Sequence, residues 1–413
     1  MMTKIVDDSL DQQENGGRNR CSNFYSQPWK KNNVESEAWS RVQQCLDIYL
    51  QRMSVAEDSQ RAAMRAWYDL LHADLVRRED EAGLRASQRD IEALIAKERE
   101  RGIAASRIVL AGFSQGCAMT LLTGLRHTER LAGLVGLSGY LPLADTAAEA
   151  KELADLARAR GLITRVGHAF PRNPVHDRAR DIIQSGEIGD IRLFKGCQHI
   201  DVFGDPSAPF MWRADGALAP TGIVGDTGTH VFSFMAFLVG PVSSLIAENM
   251  IVTPHRPQGT GWAEVTNPDA THLLCRFENG ASGVVDFSRV ATGRKFRQTY
   301  EIYGTKGSLS YDYDQVNRLQ FYTNADAEGR RGYRALDVGP EQATYGAFLP
   351  LPNLSLGYNE TKIIEAYEVA RAIQTGQSAW PDFDVGHHIC QIVDAVMLSA
   401  SERRWVDVAG AEP

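Results

Sequence analysis

Six stretches in the second half of the chain alternate apolar and polar residues with a period of two. They are SSLIAENMIV (243–252), THLLCRFENG (271–280), SGVVDFSRV (282–290), RQTYEIYGTKG (297–307), SLSYDYD (308–314) and NRLQFYT (317–323). Successive side chains of a strand point to opposite faces, so such a run buries one face and leaves the other to solvent or a partner. Gly-containing turns, ENGASG and GTKGS, separate them and favour antiparallel neighbours. The carboxy-terminal two-thirds is therefore expected to be a large, mostly antiparallel open sheet with helices on one face. Strands are also expected at LITRVGHAF (162–170) and IRLFKGCQHIDVF (191–203). Helices are expected at NPVHDRARDIIQSGEIG, GDTGTHVFSFMAFLVG, ETKIIEAYEVARAIQTG and VGHHICQIVDAVMLSASERR.

Upstream the texture differs. Residues 1–33 are polar and poor in branched apolars, which predicts disorder, and 34–53 predict one amphipathic helix. Between 61 and 145 the pattern is α/β. RASQRDIEALIAKERERG and SQGCAMTLLTGLRH read as helices, and RIVLA (107–111) and LAGLVGLSG (131–139) as strands joined through the second helix. That connection implies a parallel pair. ADTAAEAKELADLARARG reads as a further helix that stops at Gly161.

Charge and cysteine content narrow the partners. The 413 residues carry 52 acidic and 44 basic side chains, a net charge of −8. That argues against a nucleic-acid surface and a polybasic membrane patch. No apolar run approaches the ~18 residues of a spanning helix. The amino terminus lacks an apolar signal core, and the six cysteines are widely spaced. A cytoplasmic protein with reduced thiols is expected.

Two constellations carry chemistry. GFSQG (112–116) fits a G-x-S-x-G nucleophile elbow, with a strand before it and a helix after it. A sharp turn there would lift the Ser114 hydroxyl off the sheet and aim the Gln115 amide at an oxyanion. The stretch, with MRAWYD (64–69), DIEALIAKERERGI and LAGLVGLSGYLPL, resembles the phospholipase/carboxylesterase group that includes acyl-protein thioesterases, over residues 61–143. The family's other oxyanion loop, acid and histidine have no counterpart here. His127 falls at the far end of the following helix, so Ser114 is expected to be an orphan.

The second constellation is Asp226 and His230. Their i, i+4 spacing predicts one helix face, where a carboxylate would orient the imidazole and favour its protonated form. A metal reading of Asp226 and His230 with His387 or His388 lacks diagnostic spacing, and no metal is expected. Around this pair, RVGHAFPRNPVHDRARDIIQSGEIGDIRLFKG, PFMWR, GDTGTHVFSFMAFLVG, YEIYGTKGSLSYD and GYNETKIIEAYEVARAI resemble the Gfo/Idh/MocA family of glucose–fructose oxidoreductase and inositol dehydrogenase, over residues 143–408. The resemblance implies a Rossmann domain for NAD or NADP, followed by an open-sheet domain that binds a sugar or polyol and forms homo-oligomers through the sheet. It places Asp226 and His230 at the catalytic positions and Arg172 and Asn173 near cofactor and substrate. It also places Trp212 and Arg213 before the substrate loop, and His168 at the end of the last Rossmann strand, on the cleft side.

Two hallmarks of that family are missing: the G-x-G-x-x-G loop and the catalytic Lys of an EKP tripeptide, where the chain reads GYLPLAD. Pro142–Ala144 fits either family, so the chain reads as two truncated pieces joined there. Four segments follow: a tail with one helix (1–60), a hydrolase-like segment (61–143), the end of a Rossmann domain (144–168) and the oxidoreductase carboxy-terminal domain (169–413). The implied function is that of a sugar or cyclitol dehydrogenase without its recognisable dinucleotide-binding half, with inactivity an open consequence. A serine esterase using Ser114 and a non-catalytic oligomeric chimera are the alternatives.

Overall fold

A computed structural model describes residues 81–113, 115–137, 147–354 and 356–408. The expected tail and helix of residues 1–60, Ser114 and the Pro142–Ala144 junction lie outside the described residues.

Helix α1 (Glu81–Glu100) buries Leu84, Ile91 and Ile95, spaced to share one stripe. Strand β1 (Val109–Phe113) follows a short 3-10 turn at Ala105–Arg107, so it starts two residues later than its apolar run suggests. Helix α2 (Gln115–Arg126) then leads to β2 (Gly133–Leu137). The two strands pair in parallel, Val109 opposite Gly133, as a strand–helix–strand unit requires. Helix α3 (Ala147–Ala159) completes this layer. Its core joins Ile108, Leu110, Met119, Leu122 and Leu134 to Ala157 and Leu162.

The strand expected over 162–170 does not form. Leu162–Arg165 is irregular, with an isolated bridge at Val166. The segment's hydrogen bonds go to another loop: the Val166 amide donates to the Pro381 carbonyl at 2.8 Å and the Thr164 amide to Ser378 Oγ at 3.1 Å. His168 therefore does not end a strand.

Helix α4 (Pro174–Gln184) begins where Asn173 Oδ1 accepts from the Val175 amide at 3.0 Å, with Pro174 pre-set for a first turn. Strand β3 (Ile191–His199) follows. A π-helical turn, Val224–Gly228, opens helix α5 (Thr229–Leu238), which buries Val231, Phe232, Phe234, Met235, Phe237 and Leu238.

The sheet is then built from β4 (Val242–Met250), β7 (Ala270–Phe277), β8 (Ser282–Ser288), β9 (Arg297–Gly304), β10 (Gly307–Asp312), β11 (Arg318–Thr323), β12 (Arg334–Asp337) and β13 (Val406–Asp407). A separate hairpin pairs β5 (His255–Gln258) with β6 (Gly261–Glu264). The nine strands lie in the order β12-β11-β10-β9-β3-β8-β7-β4-β13. Only β3 and β8 pair in parallel within it. Along β7, Thr271, Leu273, Cys275 and Phe277 are buried while His272, Leu274 and Arg276 are exposed, the alternation of a sheet covered on one side. Helix α5 and two long helices, α6 (Tyr358–Thr375) and α7 (Phe383–Glu402), contribute to the core on the covered side.

Candidate active site

His168 leaves the irregular segment after Val166, and His230 sits in the first turn of α5. Their rings meet edge-on with centroids 5.3 Å apart. Phe170 backs His230 at 4.8 Å. Phe170 in turn contacts Phe296 at 5.2 Å, Tyr358 at 5.7 Å and Tyr313 at 5.8 Å. Two imidazoles are thus lodged in an aromatic wall. Neither His168 Nδ1 nor His230 Nδ1 has a hydrogen-bond partner among the described residues. Unpaired buried polar atoms are uncommon and point to a missing ligand or water.

Burial, then the nearby Lys362, holds the His230 imidazole down to about 4. Burial, then His230, Lys362 and Arg165, holds His168 down to about 3. Burial thus favours the neutral form of both rings, in which an unprotonated nitrogen can accept a hydrogen bond.

The cation comes from α6. Tyr358, Lys362 and Glu365 recur at helical spacing and so share one face. Lys362 Nζ bonds Glu365 Oε2 at 3.2 Å and lies 5.7 Å from the Tyr358 ring centre. Burial pushes the Glu365 carboxyl up, against Lys362 and Arg165. Beside it, Glu368 holds two buried guanidiniums: Arg165 Nη1 at 2.7 Å and Arg172 Nε at 2.9 Å. Arg172 also faces Asp177 at 3.5 Å, and its guanidinium lies 5.4 Å from the Phe237 ring centre.

Several expected roles change. Asp226 and His230 do not form a pair: Asp226 Oδ2 accepts from Arg213 Nε at 3.1 Å instead. The wider π-turn, not an α-helix, carries Asp226, and Gly228 lets it approach the sheet. A Cβ there would meet the Phe287 ring at 3.2 Å. With no carboxylate beside it, His230 is pushed toward neutrality rather than protonation. Arg172 and Asn173 are buried and committed to the scaffold, Asn173 as a helix cap that also donates to the Val316 carbonyl at 3.1 Å. Trp212 is exposed and stacks on the half-buried Arg213, 4.3 Å from guanidinium to ring centre. His388 does not join a metal cluster with Asp226 and His230: its Nε2 accepts from the Val242 amide at 3.2 Å. Lys362, Tyr358, Tyr313, Phe170 and Phe296 were not among the expected site residues. For Lys362 the available signal was its place on one helix face with Tyr358 and Glu365.

A dinucleotide needs backbone amides open to its pyrophosphate at a strand–helix turn. The described residues do not fit it. The sequence contains no G-x-G-x-x-G. At the turn after β1 the space is filled by the chain, since a Cβ on Gly112 would meet the Gly116 carbonyl oxygen at 1.9 Å. No step is therefore derived through that cofactor.

The open sheet covered by helices on one face, with His168 and His230 together near Lys362 of α6, defines a mixed α/β protein. Residues 176–310 match the model of the GFO/IDH/MocA C-terminal domain, and residues 52–160 that of Phospholipase/Carboxylesterase. Levoglucosan dehydrogenase of Pseudarthrobacter phenanthrenivorans is 35% identical over 281 residues, 65% of this chain and 72% of that protein. The structure of a levoglucosan dehydrogenase in complex with NADH and L-sorbose superposes with a TM-score of 0.65 at 34% identity, covering 71% of this chain and 76% of that one. Acyl-protein thioesterase 1 of Schizosaccharomyces pombe is 47% identical over 81 residues, 20% of this chain; the match spans only 36% of that protein. The chain belongs to the Gfo/Idh/MocA oxidoreductase family and is fused to a phospholipase/carboxylesterase-like fragment.

Proposed function

We propose that this chain binds a small polyol or sugar beside His168 and His230, with a His230 ring nitrogen accepting a hydrogen bond from a ligand hydroxyl, and that its 413 residues do not by themselves complete hydride transfer. The observation that carries this reading is the pair of neutral imidazoles whose Nδ1 atoms lack partners beside Lys362. A hydroxyl satisfies such atoms, donating to one ring nitrogen and accepting from another donor. Lys362 supplies the cation beside His230 that the missing EKP lysine would otherwise provide. Its ammonium can donate to the ligand oxygen. The relative's complex with a sugar supports the ligand class.

The reading assigns residues 61–143 to a hydrolase-derived segment, 144–168 to the end of a lost nucleotide domain and 169–413 to the ligand domain. The carboxylesterase match runs to 160, past Pro142–Ala144, so α3 fits either parent.

Calorimetric titration with levoglucosan and related polyols tests the proposal, beside tryptophan quenching by NADH. Binding of a polyol by the wild type, abolished in His230→Ala, with no response to millimolar NADH, is expected. Equal polyol binding by both proteins, or NAD-dependent turnover by the isolated chain, would overturn it.

A further inference from the structure

The face of the nine-stranded sheet turned away from the helices carries a polar row. By strand register it runs Glu248 on β4, His272 on β7, Asp286 on β8, Cys197 on β3, Thr299 on β9 and Asp312 on β10. Residues two apart on a strand share a face, so His199 stands next to Cys197 on this side. One thiol, one imidazole and one carboxylate converge: Cys197 Sγ, a His199 ring nitrogen and an Asp286 oxygen lie within 4.8 Å of one another. His199 Nε2 contacts Asp286 Oδ2 directly. None of the three belongs to the histidine pocket under α6.

We propose that Cys197, His199 and Asp286 form a site for a divalent cation of the zinc class on the open face of the sheet, with water in the remaining position. The donor set is sulfur, nitrogen and oxygen, the mixture such a cation takes, and three protein ligands with one open position is an established arrangement for it. Metal–ligand lengths of about 2.0–2.3 Å imply donor separations of roughly 3.3–3.8 Å in a tetrahedron. The three donors, all within 4.8 Å of one another, already lie in the range from which such a site closes. A thiolate and a carboxylate together balance a charge of two. Arg297, opposite His199 on β9, bonds both the Cys197 sulfur and Asp312, the latter at 3.3 Å, so a bound cation would take the guanidinium's place at the sulfur and leave it on Asp312. Thr299 Oγ1 lies 3.0 Å from Cys197 Sγ and serves as an outer partner that fixes the sulfur.

The same residues make a poor nucleophilic triad. Burial pushes the Cys197 thiol up, which disfavours the thiolate that a nucleophile needs. A bound cation would displace the thiol proton on binding.

The test uses the full chain, freed of metal and titrated with Co²⁺. A thiolate-to-cobalt absorption band in the near ultraviolet, saturating at one equivalent and displaced by Zn²⁺, is expected. Cys197→Ser should abolish the band. Asp286→Asn, at a half-exposed position that folding tolerates, should weaken Co²⁺ binding by at least the roughly 10–100-fold that loss of an outer partner costs. Cys390→Ser, at an exposed thiol on α7, should leave it unchanged. Absence of the band in the wild type, its survival in Cys197→Ser, its loss in Cys390→Ser, or unchanged affinity in Asp286→Asn would each overturn the proposal.

Discussion

The depressed His230 imidazole makes stability depend on acid in a defined window. In the fold the ring is held down to about 4 by burial and Lys362, against 6.5 for an ordinary histidine. The unfolded chain therefore binds this proton first. The contribution is fully present above about pH 6.5 and is lost as pH falls toward 4. Integrating that linkage gives about 2 kcal/mol lost at about pH 5 relative to about pH 8, an upper figure because the ring is only half-buried. His168 and His176 are also depressed and act in the same direction. Glu365 and Asp177 are raised by burial and act oppositely. A His230→Asn variant leaves those other groups in place and isolates one imidazole. Urea unfolding followed by tryptophan fluorescence at the two pH values should show the wild type losing about 2 kcal/mol more than the variant. Lys362→Met should raise the His230 pKa and shrink the wild-type loss, since a neighbouring cation is gone. Parallel losses in wild type and His230→Asn would refute the reasoning.

Three further outcomes are expected. Glu368→Ala leaves the buried Arg165 and Arg172 without their shared carboxylate, and should lower the unfolding free energy by on the order of 3–5 kcal/mol in urea titrations; a loss under 1 kcal/mol would contradict the network. Gly112→Ala drives a Cβ into the Gly116 carbonyl, so strand β1 and helix α2 must separate. Limited proteolysis should then cut the α1–α3 segment at least several-fold faster than in the wild type. Fluorophosphonate should not label Ser114, because His127, the first histidine after it, lies beyond the carboxy-terminal end of α2; stoichiometric labelling would restore the hydrolase reading.

The sheet was legible because alternation is enforced residue by residue. Leu273, Cys275 and Phe277 go in, Leu274 and Arg276 go out, and a slip of one position would reverse them all. LITRVGHAF shows the limit of the same signal. A strand needs a partner edge, and here the Val166 amide meets the Pro381 carbonyl while Thr164 is held by Ser378 and Phe383. Apolar content alone does not reveal which neighbour will be present. The parallel pair β1–β2 was readable from its connecting helix, whereas the tight contact of Gly112 on Gly116 was not, since glycine has no pattern to read.

The site divides in the same way. The sequence singles out His230 as a candidate, but its neighbours depend on helix geometry. Asp226 four residues earlier belongs beside it only if the turn is α-helical; the π-turn gives the carboxylate to Arg213. Lys362 sits more than a hundred residues away in sequence and, with Glu365 three residues on, reads as an ordinary surface ion pair. Folding converts it into the cation beside two imidazoles. Some of the buried atoms without a hydrogen bond fall together here: His168 Nδ1, His230 Nδ1 and Arg165 Nε lie near α6, where Glu365 Oε1 has only a 3.7 Å ion pair to Arg165. Each orphaned buried group costs about 1–3 kcal/mol against a total stability of about 5–15 kcal/mol. Several such costs in one place are hard to sustain in a segment that only packs. A polyol offers donors and acceptors together, so it can satisfy ring nitrogens and charged groups at once, which an apolar ligand cannot. The grouping of these atoms, more than either histidine alone, is what supports the proposed hydroxylated ligand.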